Sequence, residues 1–206
     1  MAKGDCVAFT RLAGLVAAAL IAASAPSVAD TALATKFLHA AGALENRSVS
    51  FDRDYHRIAY PMGDVPANVG VCADVVVRAY RGIGIDLQAR VHEDMVRHFP
   101  LYPKTWGLRA PDSNIDHRRV LNLRVFFARH GRSLKITQDP KDYRPGDLVT
   151  WNLDPHGSTP HIGIVMARRS AGGTRPLILH NIGNGQVFED VLFAWTITGH
   201  YRYAID

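Results

Sequence analysis

Pro145-Gly-Asp-Leu-Val-Thr-Trp-Asn-Leu-Asp-Pro-His-Gly-Ser-Thr-Pro-His-Ile-Gly-Ile-Val-Met-Ala167 is where this chain changes from helical to extended spacing. Pro145-Gly146-Asp147 reads as a turn that feeds a strand over residues 148–153. The polar loop 154–160, punctuated by Pro155, Gly157 and Pro160, then opens a second strand over 161–167. Residues 176–181 and 197–204 are also short and rich in β-branched or aromatic side chains, so they extend the series. Short strands in succession pair antiparallel.

Upstream, the spacing is helical. Leu33, Phe37, Ala40, Ala41 and Leu44 share one face of a segment at 31–44. Residues 51–70 read as loop, punctuated by Pro61, Gly63, Pro66 and Gly70. A helix at 72–81 places Val75, Val76, Ala79 and Tyr80 together and stops at Gly82. Leu87, Val91, Met95 and Phe99 define another at 86–99, and a fourth runs over 118–130 to Gly131. Helices first and an antiparallel sheet last make an α+β domain. With no repeat or linker, residues 30–206 are expected to form a single domain of a length that closes one hydrophobic core.

The N-terminus carries its own signal. Lys3 and Arg11 precede the apolar run Leu12-Ala-Gly-Leu-Val-Ala-Ala-Ala-Leu-Ile-Ala-Ala23, and Ser27-Val28-Ala29 offers small residues where a signal peptidase reads. A membrane span needs about 20 apolar residues, and Ser24 and Pro26 break this run early. Residues 1–29 are therefore expected to be a secretory signal peptide cleaved after Ala29. The product is periplasmic or secreted, with no stable membrane anchor. Losing Lys3, Arg11 and Asp5 lowers the formal net charge of +5 by one. A basic exported protein is expected to be drawn to an anionic envelope polymer or a membrane surface. No basic stripe is interleaved with aromatics, so nucleic acid is not an expected partner. Nothing in the sequence marks an oligomeric state.

Of the two cysteines, Cys6 leaves with the signal and Cys72 stays. A lone thiol has no internal disulfide partner, so it is either a small core hydrophobe or present for its reactivity. At the first turn of a helix, free N–H groups and the helix dipole favour the thiolate. His161, at a strand start, suits a general base held in one geometry. His180, ending residues 176–180, is placed to accept the second ring N–H of His161 and fix its tautomer. Asn181 is the competing orienter, since adjacent strand residues point to opposite faces.

Cysteine at a helix start, Pro145-Gly-Asp-Leu-Val149, His161-Ile-Gly-Ile-Val165 and a polar residue on the next strand occur in the order of the NlpC-type papain-like cysteine peptidases. The chain resembles this group of exported bacterial enzymes that cut peptide bonds in peptidoglycan. More narrowly, Gly63-Asp-Val-Pro66, Val91-His-Glu-Asp-Met95, Asn114-Ile-Asp-His-Arg-Arg119 and His180-Asn-Ile-Gly-Asn-Gly185 resemble the exported family called domain of unknown function twelve-eighty-seven. The resemblance implies a papain-like fold, N-terminal helices packed on a C-terminal antiparallel sheet. It also implies an amide-cleaving Cys72-His161-His180 set acting through an acyl-enzyme. Tyr60 falls where the broader family often has a tyrosine near the thiol. That family usually writes Asp-Cys-Ser-Gly around its nucleophile, and its neighbours there help to hold the amino end of a stem peptide. Here the text is Val71-Cys72-Ala73-Asp74. Asp64 and Asp74 are the candidates for a replacement carboxylate, against the plainer role of capping a helix or turn. Tyr60, Asp64, Asp74 and Asn181 are thus the candidate substrate-binding residues.

Other polar clusters have plainer readings. His92, Glu93 and Asp94 are consecutive on a helix and cannot share a face. Asp116-His117-Arg118-Arg119 either caps the next helix or offers arginine to a substrate carboxylate. His156 and His161 lack a third ligand at metal spacing, so no metal or other cofactor is expected. The expected function is an exported cysteine hydrolase acting on peptidoglycan or another envelope amide. A thiol-dependent acyltransferase or esterase, and a non-catalytic envelope-binding module on the same fold, are the alternatives.

Overall fold

The computed structural model describes Met1 and residues 28–205. The expected signal peptide lies outside the described residues except for Met1 and for Val28 and Ala29, which begin the first helix. No helix among the described residues is long and apolar enough to cross a membrane.

Four α-helices and a six-stranded antiparallel sheet form an α+β fold among the described residues. Helix α1 spans Val28–Gly42, starting earlier and ending slightly sooner than its apolar spacing suggests. Two short strands, β1 (Ser50–Phe51) and β2 (Val69–Gly70), pair in parallel across a stretch read from sequence as loop. Helix α2 (Cys72–Arg81) lies at the centre, with all its residues buried except Arg78 and Arg81. At its end, a Cβ on Gly82 would lie 2.6 Å from Ala40 Cβ, so glycine allows α1 to pack close. Helix α3 (Leu87–His98) is capped by Asp86, whose carboxylate accepts from Ala89 N–H at 3.1 Å. Residues 116–118 form a separate 3₁₀ turn, which delays α4 to Val120–His130.

The sheet comprises β3 (Arg132–Ser133), β4 (Leu148–Asn152), β5 (Pro160–Arg169), β6 (Pro176–His180), β7 (Val187–Glu189) and β8 (Thr196–Arg202). Their spatial order is β3-β8-β4-β5-β6-β7. The short strands β3 and β7 have too few residues for a periodic signature.

Strand alternation divides the core. Ile162, Ile164 and Leu179 pack with Val75, Val76 and Phe127 on the helical side. Val149, Trp151, Val165 and Ile178 pack with Tyr143 and Leu192 in a second cluster. The Pro145-Gly146-Asp147 turn has a specific chemical anchor. Gly146 adopts φ +94, and the buried Asp147 carboxylate accepts from Arg202 Nε at 2.7 Å and contacts His200 Nε2 at 2.8 Å. A sharp turn is thereby locked onto β8, which fixes where β4 and its neighbour β5 begin.

Candidate active site

Cys72 is the first residue of α2, preceded by Val71 in extended conformation. Asp74 holds this entry: its Oδ2 accepts from Val71 N–H at 2.6 Å. Arg118 then clamps Asp74, with Nε at 2.9 Å from Oδ1 and Nη2 at 3.0 Å from Oδ2. Both partners are buried, and Arg118 also donates to the carbonyls of Asp52 and Asp54. A buried pair with its remaining donors satisfied fixes the helix start rigidly.

The Cys72 thiol faces the backbone N–H of Ile162, as well as those of Ala73 and of Cys72 itself. It therefore lies against the peptide joining His161 to Ile162. Among the described residues it makes no hydrogen bond to the His161 ring. Burial pushes the thiol up to about 11, and the N–H contacts offset this only in part. The expectation that the helix start ionises Cys72 is thus overturned in the resting structure, where desolvation outweighs the dipole.

His161 Nε2 lies 2.8 Å from His180 Nδ1, and His180 Nε2 lies 2.8 Å from Glu189 Oε2. A carboxylate only accepts, so His180 donates from Nε2 to Glu189 and keeps a lone pair on Nδ1. That lone pair takes the Nε2–H of His161, leaving its Nδ1 as the basic nitrogen. Glu189 thus sets two tautomers in sequence. It was missed from sequence because β7 is three residues long. Burial, then the neighbouring His180, pushes His161 down to about 3. Burial also lowers His180, against the opposing effect of Glu189. Trp151 and Trp195 close around the pair, with ring centroids 6.0 and 5.9 Å from that of His161.

Although only 6 % exposed, Cys72 lines a cavity of about 410 Å³. Pro160 reaches the cavity wall beside it, whereas His161 is 2 % exposed. Phe51, Trp106 and Val120 supply apolar wall, and Arg53, Arg118 and Arg119 supply charge.

The candidate substrate-binding residues from sequence do not gather at this cavity. Tyr60 stands against His92, centroids 5.4 Å apart, and is not part of the cavity wall. Asp64 is engaged by Arg78 and Arg81 at 3.0 and 2.6 Å. Asp74 is committed to Val71 and Arg118, which corrects its reading as a substrate carboxylate in favour of capping. Asn181 is buried and donates to Gly70 O at 3.2 Å while accepting from Gly183 N–H at 3.0 Å. It ties β6 to β2, and His180 is the residue bonded to His161. His156 is exposed on the loop ahead of β5.

The chain belongs to the family described as domain of unknown function (DUF1287), whose model matches residues 38–203. It is 46% identical over 182 residues to a protein of Escherichia coli (strain K12) described as uncharacterized protein YijF, with 87% of each chain covered. No solved structure matches the chain.

Proposed function

We propose that this is an exported cysteine hydrolase of the papain-like, NlpC-type class that cleaves an amide bond in peptidoglycan stem peptides. The observation that carries the reading is the bonded series Glu189–His180–His161, ending beside the peptide against which the Cys72 thiol lies. The order of the quoted motifs supports the class, and the N-terminal export signal supports the compartment.

In this reading a substrate carbonyl enters the cavity over Cys72. The thiol proton passes to His161 Nδ1 as sulfur attacks carbon, and the imidazolium is stabilised through His180 by Glu189. Because the resting pair is neutral, proton capture accompanies attack. The Cys72 and Ala73 N–H groups, at the start of α2, turn from the sulfur to the developing oxyanion. His161 returns its proton to the leaving amine, and the C–N bond breaks to leave a thioester. Water, deprotonated by His161, then hydrolyses that thioester and restores the thiol.

The raised thiol pKa and the lack of a thiol–imidazole hydrogen bond favour one second reading, a binding module that retains the fold without turnover. Amine release from purified muropeptides by wild type and His161→Ala separates the two. General-base action predicts a loss of about a hundredfold or more in the variant. Equal release from both proteins would remove the imidazole from the mechanism.

A further inference from the structure

Among the described residues, arginine is the only charged residue type in the cavity wall: Arg53, Arg118 and Arg119 line it, with no aspartate or glutamate. The three have different duties. Arg118 is spent on Asp74 and on two backbone carbonyls. Arg119 makes no side-chain hydrogen bond among the described residues, and its Nη1 is buried without a partner. Its guanidinium lies over the Trp106 ring at 4.5 Å, which occupies one face of the plane and leaves the in-plane donors unused. Arg53 is exposed and lies 5.4 Å over Phe51, another wall residue.

The carboxylates electrostatically nearest Arg119 form no hydrogen bond with it among the described residues, although Asp116 Oδ1 is itself buried without a partner. Asp112 accepts from Tyr55 and Asn114, and Asp116 Oδ2 accepts from Asp112 N–H and pairs with His92. Arg119 thus keeps in-plane donors that no protein acceptor occupies, in a residue that lines the cavity.

We propose that Arg119 and Arg53 form a carboxylate subsite beside Cys72, so that the cavity selects short acidic peptides. A carboxylate matches the in-plane fork of Arg119 with two parallel hydrogen bonds, while Arg53 closes from the exposed side. The apolar wall of Phe51, Val71 and Val120 then packs the peptide's aliphatic part. This names the substrate class for the proposed hydrolase but rests only on the cavity, so binding is testable without turnover.

The test titrates the dipeptide Ala-Glu, its neutral diamide and inorganic phosphate into Cys72→Ala protein, followed by Trp fluorescence and calorimetry. Ala-Glu binding at least about tenfold tighter than the diamide is expected, with Arg119→Gln and Arg53→Gln each removing most of that preference. Circular dichroism of each variant confirms that the fold is retained, and Arg119→Lys should restore the preference only in part. Equal binding of acid and amide, no effect of either glutamine variant, or tighter binding of phosphate would overturn the subsite. Acid-selective binding together with inert wild-type protein would overturn the hydrolase reading and leave the subsite standing.

Discussion

Glu189 Oε2 lies 2.8 Å from His180 Nε2, and this contact determines which nitrogen of each imidazole carries a proton. The carboxylate is partly exposed while His180 is fully buried, so the proton it fixes is held away from water. Glu189→Ala should lower kcat about tenfold or more with little change in KM, because the residue acts through His180. Nitrogen NMR of the wild type should show His180 protonated at Nε2 and bare at Nδ1. A mixed tautomer unchanged by Glu189→Ala would contradict the assignment.

Thiol reactivity follows from burial. With Cys72 pushed up to about 11, its alkylation by iodoacetamide should be slower at neutral pH than that of free cysteine. The rate should still be rising at pH 10. A plateau below pH 8 would show a preformed thiolate.

Acid stability has a defined window. Burial lowers His161 to about 3 and His117 to about 4, both from an ordinary 6.5. The neutral rings contribute stability that is fully present above about pH 6.5 and is lost as pH falls through those folded values. Urea midpoints should therefore fall between pH 6.5 and 4, before the paired carboxylate of Asp94, itself held below the usual range, begins to protonate. His117→Asn should flatten this upper limb of the acid loss. An unchanged pH slope in that variant would contradict it.

Asp74 separates a structural role from a binding one. Removing its carboxylate leaves Arg118 buried without its anion and Val71 N–H without an acceptor. Asp74→Ala should cost about 3 kcal/mol of stability, measured by denaturant unfolding. Unchanged stability with a raised KM would instead restore Asp74 to the substrate site.

Much of the architecture was legible because it rests on local rules. The apolar face of α2 and Gly82 gave both ends of that helix, and Asp86 marked the start of α3. The Pro-Gly-Asp turn and the short runs rich in β-branched or aromatic residues marked β4 and β5. The site was legible only where a residue's local position fixed its role, as for His180 against Asn181, whose opposite facing on a strand allows one of them to meet His161. Long-range pairing was not legible. Arg118 and Arg119 are neighbours of the same type, yet the first is neutralised by Asp74 from another helix and the second is left open over Trp106. Glu189 was hidden for the same reason: its meaning comes from a partner on the adjacent strand, and three residues of β7 carry no pattern of their own.

The most direct measurement incubates mature protein and Cys72→Ala with purified sacculi and identifies released fragments by mass spectrometry. Stem-peptide fragments with new carboxyl ends are expected from the wild type, and none above background from Cys72→Ala. Equal release from both proteins, or none from either, would contradict the hydrolase reading.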